Sequence, residues 1–328
     1  EVTGGRAAGV ILNSGNANAA TGAPGVAGAE RMCQLAADGL GCDPGEVLVC
    51  STGLIGIPLP IDLVCAGIPE LLRARAGDGG PQAAEAIMTT DTRAKQVEVP
   101  GHGFSVGGMA KGAAMLAPNM ATMLVVLTTD ADAAPATLRR ALAGAVARSF
   151  NQLTVDGATS TNDTVIALAS GRTGVTPDEM ALTEALWEAC AELAGQMAAD
   201  AEGATKVIRV RVTGATDAGE AARGARRVAE SQLVKCSFYG QDPYWGRIVS
   251  ELGSAGIAFD VDRVSISYGG VTVCQAGVAS RHDRDAVAEV MAQPTIELVA
   301  DLGLGPGEAT VLTADLTPGY IDENMRTS

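Results

Sequence analysis

The sequence is poor in aromatic residues and histidines, and each shortage narrows the functions open to the chain. Aromatic residues make up 3% of the 328 residues, so little is available to stack a nucleobase or a flat cofactor. The two histidines, His102 and His282, leave almost no candidates for a histidine base or for a metal site built from several histidines. We therefore expect any chemistry here to rely on other side chains.

Basic residues and long apolar runs are also scarce. The chain has 23 Lys and Arg residues against 38 Asp and Glu residues, which gives a formal net charge of −15. A chain this acidic binds a phosphate backbone poorly, which excludes nucleic acid as an expected partner. No apolar run approaches the ~18 residues that a membrane-spanning helix needs, so no membrane partner is expected either.

Seven cysteines are present, but they form no C-x-x-C pair. An odd number argues against complete pairing into disulfides, and Cys50 and Cys65 lie in apolar segments. The pattern favours buried, reduced thiols in a cytosolic protein. Disulfide bonds or a metal site are the alternatives.

The length and the order of the apolar segments predict an α/β protein. A chain of 328 residues with 47% hydrophobic residues is expected to form about two domains with substantial cores. Near its start, a strand at 9–12, a helix at 26–40 and a strand at 46–50 predict one α/β unit. Further helices are predicted at 82–88, 137–150 and 178–200, and further strands at 95–99 and 206–212. From about residue 230 onward we expect short strands and one helix.

One short motif matches a serine hydrolase but lacks the expected surroundings. Residues 103–107 fit G-x-S-x-G, with Ser105 in the nucleophile position. A strand precedes the motif, yet the glycine-rich segment that follows it is a poor helix start, and His282 is the one downstream histidine. An ordinary turn is the better interpretation.

Thr122 has two interpretations. Residues 117–127 predict a buried strand after a Pro-Asn turn, in which Thr122 is one more strand residue. A threonine after a small residue can also attack the preceding carbonyl, here that of Ala121, and become an N-terminal nucleophile. The α-amine released by cleavage has a pKa near about 8 and can act as the base for its own hydroxyl. This chemistry needs no histidine.

An acyl-transfer site also needs an oxyanion hole. Ser51, Thr52 and Gly53 follow a predicted strand and offer a hydroxyl beside a backbone N–H that ligands can approach closely. The nearby Asn13, Asn16 and Asn18 are expected to hydrogen-bond to loop backbone. The alternative is that their loop lies next to the oxyanion turn.

Two further segments are interpreted as structural. The TSTND run at 159–163 is typical of turns and caps. Trp245 is expected to anchor a core ahead of a helix.

Over nearly its whole length the chain resembles the ornithine acetyltransferases (glutamate N-acetyltransferases) of arginine biosynthesis. The shared segments are long and follow the family's order, so the resemblance is specific. They are NSGNANAATG (13–22), STGLIG (51–56), IMTTDT (87–92), VGGMAKGAAMLAPNMATML (106–124), SFNQLTVDGATSTNDT (149–164), EGATK (202–206) and DPYWGRI (242–248).

The resemblance implies roles for the catalytic residues. It implies self-cleavage between Ala121 and Thr122, after which Thr122 is the nucleophile that accepts the acetyl group. Thr52 and Gly53 match the oxyanion pair, and Glu202 matches the acidic residue of the active site.

Substrate contacts are implied at Thr89, Lys111 and Asn324, together with Thr122 and Glu202. Ser328 takes the place of a terminal threonine of the family. The residues after Asn324 depart from the usual pattern and are one shorter, so the match at Ser328 is looser.

The resemblance further implies an αββα-type α/β sandwich over residues 1–228 and a smaller C-terminal α/β region over 229–328. Cleavage divides the chain into an alpha chain, 1–121, and a beta chain, 122–328, which are expected to associate as a heterotetramer or larger in the cytoplasm. Because the family has an additional segment before NSGNANA, we also expect a truncated N-terminus.

The implied reaction moves an acetyl group from N2-acetyl-L-ornithine to L-glutamate by a ping-pong mechanism, without a cofactor or a metal. Close alternatives are a bifunctional member that also uses acetyl-CoA and a paralogue of a specialised pathway. A different enzyme class is an N-terminal-nucleophile amidase or aminopeptidase, in which water replaces glutamate. The non-enzymatic alternative is a small-ligand-binding α/β protein in which Thr122 is only a strand residue.

Overall fold

The computed structural model describes residues 5–115 and 123–325, and the chain forms two compact units. The first comprises Glu1–Asn151 with Thr159–Met197, and the second comprises Gln152–Ala158 with Ala198–Ser328. Several sheets and ten helices alternate along the described part of the chain, which confirms the α/β class. The domains predicted from the family resemblance, 1–228 and 229–328, stay a prediction.

The first unit begins with a parallel pair of strands joined through a helix. Strand β1, Gly9–Asn13, pairs with β2, Val47–Ser51, and the crossover contains helix α1, Gly22–Leu40. The helix ends at Gly41, whose left-handed φ of 74° lets its N–H reach the carbonyl of Ala37. Helix α2, Ile61–Arg73, packs against α1. Apolar side chains from all four elements form one core: Ile11, Met32, Ala36, Ala37, Val47, Cys65 and Ile68.

A four-stranded sheet completes the strands of the first unit. Its order follows the chain, with antiparallel pairing up to β5 and parallel pairing between β5 and β6. Strand β5 is buried at five of its six positions, four of them apolar, as expected for an inner strand covered on both faces. The strands are β3 (Lys95–Pro100), β4 (Ser105–Lys111), β5 (Leu124–Thr129) and β6 (Thr164–Ala169). The remaining helices are α3 (Gly80–Ala86), α4 (Pro135–Ala147) and α5 (Glu179–Ala199), of which α5 continues into the second unit.

The G-x-S-x-G motif lies in the hairpin between β3 and β4. The Gly101 N–H donates to the Phe104 carbonyl across the turn, and Ser105 is the first residue of β4. Its N–H and hydroxyl both bind Asp130, at 2.7 and 3.3 Å. Strand β4 begins at Ser105, inside the motif, where a nucleophile elbow needs a helix, and only residues 103 and 104 of the motif lie in the turn.

The second unit is built on a six-stranded mixed sheet. Its strand order is β10-β9-β8-β11-β7-β12, with parallel pairing only between β11 and β7. The strands are β7 (Val207–Ala215), β8 (Ser265–Tyr268), β9 (Val271–Gln275), β10 (Val278–Ala279), β11 (Thr295–Asp301) and β12 (Gly307–Ala314). The helices are α6 (Ala218–Glu230), α7 (Gln232–Tyr239), α8 (Gly246–Gly253), α9 (Arg284–Met291) and α10 (Pro318–Asn324).

Helix α6 buries a stripe of small residues against this sheet. Ala221, Ala225, Val228 and Ala229 are fully buried at helical spacing and join the core of β7 and β11. Trp245 packs at the edge of the same core, just before α8, as expected.

Several elements differ from the sequence predictions. Helix α2 was missed because Gly67 and Pro69 interrupt its apolar pattern. Strand β4 was missed because Gly107 and Gly108 lie inside it. Helices α7 and α8 occupy 232–253, part of the region predicted to hold short strands and one helix. Within residues 5–115 and 123–325, no helix is long and apolar enough to cross a membrane.

Candidate active site

A buried carboxylate in the first unit gathers several of the predicted site residues. Asp91 is 7% exposed. It accepts hydrogen bonds from Lys95 Nζ at 2.6 Å, the Gly112 N–H at 2.7 Å and the Thr89 N–H at 3.1 Å. The Lys111 ammonium lies 3.8 Å from its second oxygen. The Asp91 side chain therefore connects the loop of Thr89 to the end of strand β4 through hydrogen bonds.

Electrostatics keep Asp91 ionised in this buried place. Burial by itself raises the pKa of Asp91, but the ammonium groups of Lys111 and Lys95 and the bond from Gly112 hold that pKa below its usual range. Because two buried ammonium groups face one carboxylate, the cluster carries a net positive charge. A site of this sign suits an anionic substrate group or a developing oxyanion.

Lys111 connects this cluster to the predicted oxyanion turn. Its Nζ donates to Thr52 Oγ1 at 3.3 Å, and both side chains are buried. The Thr52 N–H binds the Asn13 carbonyl at 3.1 Å, which fixes the backbone at the end of β2. Since the lysine supplies a donor to Oγ1, the hydroxyl proton of Thr52 is left to donate elsewhere.

Gly53 is held in a conformation that only glycine adopts readily. Its φ is 124°, and an added Cβ would lie 2.3 Å from the carbonyl carbon of Gly15. Asn16 supports the same turn through bonds to the carbonyls of Leu54 and Ile57. Within the part of the chain that the structure describes, the Gly53 N–H has no acceptor. The turn thus presents an unused backbone donor beside Thr52.

A polar cleft of about 260 Å³ lies next to this turn. The Ser51 hydroxyl accepts bonds from the Asn18 N–H at 2.8 Å and from Asn162 Nδ2 at 3.2 Å. Asp163 Oδ1 accepts the Met123 N–H at 2.9 Å. Residues from β1, α1, β2, the start of β6 and the adjoining loops line the cleft: Asn13, Asn18, Met32, Val49, Cys50, Ser51, Leu59, Thr161, Asn162, Asp163 and Thr164.

Sequence reasoning missed the two acidic residues of this site. Asp163 belongs to the TSTND run, which was interpreted as turn chemistry, and Asp91 lies in the shared IMTTDT segment without a predicted role. No sequence signal marks Asp163, because it meets Met123 only through the parallel pairing of β5 with β6.

Two further predicted residues meet in the second unit. Asn324 Nδ2 donates to Glu202 Oε2 at 2.8 Å, and Glu202 is 9% exposed. Helix α10 carries Asn324, and its start is fixed by the Thr317 hydroxyl, which donates to the Gly203 carbonyl. The Asn324 amide also donates to the Tyr320 carbonyl at 2.8 Å, so the end of helix α10 and the Glu202 carboxylate are held together.

Three of the predicted site residues, Ala121, Thr122 and Ser328, lie outside the described residues. Their roles stay predictions.

Comparison with known proteins gives consistent matches. The model of the ArgJ family matches residues 1–327. The arginine biosynthesis bifunctional protein ArgJ of Mycolicibacterium paratuberculosis is 48% identical over 324 residues, covering 96% of this chain and 79% of the relative. The protein of the same name from Streptomyces coelicolor is 46% identical over 315 residues, covering 96% and 82%.

A solved structure agrees with these sequence matches. The crystal structure of the arginine biosynthesis bifunctional protein from Bacillus halodurans is 34% identical, with a TM-score of 0.58. The likeness covers 60% of this chain and 96% of that chain. Together the matches confirm the family resemblance and the prediction of a biosynthetic enzyme.

The Gly53 turn gives a first prediction. Gly53→Ala places a methyl group against the Gly15 backbone, whereas Gly56→Ala, at a φ of 74°, meets no atom within 4 Å. Backbone strain alone costs on the order of 1–3 kcal/mol, so we expect this loss for Gly56→Ala and a larger loss for Gly53→Ala. Urea unfolding of both variants measures the difference. Equal losses of unfolding free energy in the two variants would contradict the close approach of Gly53 to the Gly15 backbone.

Asp91 gives a second prediction. Asp91→Asn leaves Lys95 and Lys111 without their carboxylate and is expected to lower the free energy of unfolding by about 3–5 kcal/mol. The control Asp62→Asn breaks the exposed pair with Arg31 and is expected to cost at most about 1 kcal/mol. Because folding lowers the pKa of Asp91, its contribution is complete above the unfolded pKa of about 3.9 and is lost as the pH falls further.

The pH dependence provides the check on this assignment. The stability difference between wild type and Asp91→Asn, measured by urea unfolding from pH 3 to pH 7, should be constant near neutrality and shrink below about pH 4. A difference that stays constant across the whole range would show that the ionised carboxylate is not the stabilising group.

Proposed function

Because the chain belongs to the ArgJ family, we propose that it transfers an acetyl group from N2-acetyl-L-ornithine to L-glutamate through an acetyl ester on Thr122. The observation that carries the proposal is the placement of the Lys111 ammonium on the Thr52 hydroxyl, beside the unused N–H of Gly53. Two adjacent donors backed by a positive charge are what a tetrahedral acyl-transfer intermediate requires.

The oxyanion site works through polarisation in a buried place. Lys111 donates to Thr52 Oγ1 and makes the hydroxyl a stronger donor toward a developing negative charge. Asp91 holds Lys111 in place, so the donors are arranged before the substrate arrives. Loss of one such donor in other enzymes costs about 10²–10³-fold in rate.

The nucleophile is created by self-cleavage. The Thr122 oxygen attacks the Ala121 carbonyl, the C–N bond breaks, and an ester forms with release of the Thr122 α-amine. Water then hydrolyses the ester and leaves a carboxylate on Ala121. The amine, with a pKa near about 8, is basic enough to take the proton of the Thr122 hydroxyl near neutral pH.

Acetyl transfer follows in two halves. The Thr122 oxygen attacks the acetyl carbonyl of the donor, and ornithine leaves after its nitrogen accepts the proton held by the α-amine. The amino group of glutamate then attacks the ester carbonyl, the C–O bond to Thr122 breaks, and a proton of the attacking amine passes through the α-amine to the Thr122 oxygen, which becomes a hydroxyl again. Neither half needs a cofactor or a metal.

The substrates are small amino acids with charged ends, and the candidate residues have suitable chemistry. The positive cluster at Lys111 suits a carboxylate, and Thr89 lies exposed beside it. The Glu202 carboxylate and the Asn324 amide suit an ammonium or amino group, and Ser328 adds a hydroxyl.

The relatives are named bifunctional, and this favours a second candidate, a member that also takes acetyl-CoA as donor. In that case the same Thr122 ester forms from a thioester instead of an amide. Glutamate acetylation assayed with each donor alone separates the two candidates.

The sheet of the first unit supports a lasting association of the two cleaved chains. Strand β4 precedes the proposed cut and β5 follows it, and they are paired along their whole length from Lys111 opposite Leu124. Cleavage between them therefore leaves the alpha and beta chains joined within one sheet. We also infer assembly into a heterotetramer or larger and a cytoplasmic location, which suits seven cysteines that are all unpaired.

Self-cleavage is tested by intact mass. Wild type is expected to give two chains that divide between Ala121 and Thr122, whereas Thr122→Ala is expected to remain one chain without acetyl transfer. The control Thr128→Ala changes an exposed threonine of β5 and should cleave normally. An uncleaved wild type with full activity, or activity that survives Thr122→Ala, would refute the mechanism.

A further inference from the structure

Met123, the residue that follows Thr122, is held by hydrogen bonds to both its N–H and its carbonyl. Strands β5 and β6 run in parallel with Leu124 opposite Thr164, which places Met123 beside Asp163 at the start of the pair. The Met123 N–H donates to Asp163 Oδ1 at 2.9 Å, and the Met123 carbonyl accepts the Thr164 N–H at 3.0 Å. The Met123 side chain is 3% exposed. The chain is therefore fixed one residue after the proposed nucleophile.

Asp163 uses only one of its carboxylate oxygens in these contacts. Its Oδ2 is buried and has no hydrogen-bond partner among the residues that the structure describes. A buried acceptor without a donor costs about 1–3 kcal/mol, and more when the group is charged. This oxygen is therefore suited to a donor that the described residues do not supply.

The charges around Asp163 leave it incompletely neutralised. Burial raises the pKa of Asp163 to about 6, against the opposing effects of the Met123 N–H and of Lys111 on β4. Lys111 is itself shared with Asp91. Cys50 on β2 lines the same cleft, and burial raises the pKa of this thiol to about 11, so it is neutral at physiological pH.

Self-cleavage would create the missing donor nearby. The α-nitrogen of Thr122 is three bonds from the Met123 nitrogen, so the two atoms are at most about 4.3 Å apart by bond lengths alone. The Met123 nitrogen is in turn 2.9 Å from Asp163 Oδ1. The new amine is thus covalently confined to the neighbourhood of the Asp163 carboxylate.

We propose that Asp163 is a positioning residue for the nucleophile: Oδ1 holds the Met123 N–H, and Oδ2 accepts a hydrogen bond from the α-amine that cleavage releases on Thr122. The inference rests on the proposed function. The amine takes the proton of the Thr122 hydroxyl as the oxygen attacks, and the carboxylate pairs with the ammonium that results. The proton then moves to the nitrogen of the leaving ornithine. In this arrangement the Thr122 hydroxyl is the nucleophile, its α-amine is the base, and Asp163 orients the base.

Asp163→Asn and Asp163→Ala separate the two oxygens. The asparagine keeps a carbonyl acceptor for the Met123 N–H, so it should cleave normally, as followed by intact mass. The alanine loses this acceptor and should cleave at least about 10-fold more slowly. Asp130→Asn is the matched control, because Asp130 accepts the Ser105 N–H just beyond the other end of β5. Thermal melting of each variant checks folding.

The pH profile of acetyl transfer tests the role of the charge. Removing a carboxylate beside an amine lowers the pKa of that amine. In fully cleaved Asp163→Asn we therefore expect the acidic limb of kcat to move down by about one pH unit, with kcat at the optimum reduced at least about 10-fold. KM should stay within about twofold of wild type, and Asp130→Asn should match wild type, because neither change touches substrate.

The outcomes separate this inference from the proposed function. An Asp163→Asn protein that cleaves and shows the wild-type profile would overturn the inference and leave the acetyl-threonine mechanism standing. A folded Asp163→Asn protein that stays uncleaved would also overturn it, because the released amine does not exist before cleavage. A wild type that never cleaves would overturn both.

Discussion

The candidate site depends on a single buried carboxylate, that of Asp91, which accepts a hydrogen bond from Lys95 and faces the Lys111 ammonium at 3.8 Å inside the first unit. Without it, the buried ammonium of Lys111 would lose the carboxylate that faces it, and the cost of that charge would favour moving the side chain away from Thr52. With it, Lys111 is held where it polarises the Thr52 hydroxyl. The geometry of the oxyanion turn is thus inseparable from the packing of Asp91, Lys95 and Gly112.

The proposed mechanism explains why the chain can work with so few histidines. A mechanism in which the base is the amine of the nucleophile itself needs only a carbonyl activator and a means of orienting the amine. We propose Thr52 and Gly53 for the first role and Asp163 for the second. The antiparallel pairing of β4 with β5 allows the chain to be cut between them while the sheet is kept.

Part of this architecture follows from local patterns. The apolar segments near the start predict β1, α1 and β2, and a Thr-Gly pair at the end of β2 makes that turn a candidate oxyanion hole. Its companions could not be found in this way. Asp91 and Lys111 are twenty residues apart and meet only because β4 returns antiparallel to β3. Asp163 meets Met123 only through the register of a parallel pair, which no local pattern specifies.

The central claim is that the acetyl group passes through Thr122, and trapping the intermediate tests it most directly. Wild-type protein incubated with N2-acetyl-L-ornithine in the absence of glutamate is quenched in acid and mapped by peptide mass spectrometry. One acetyl group is expected on the peptide that begins with Thr122, and hydroxylamine should remove it, as it does an ester. An acetyl group on another residue, or an unmodified Thr122 peptide in protein that turns over at full rate, would contradict it.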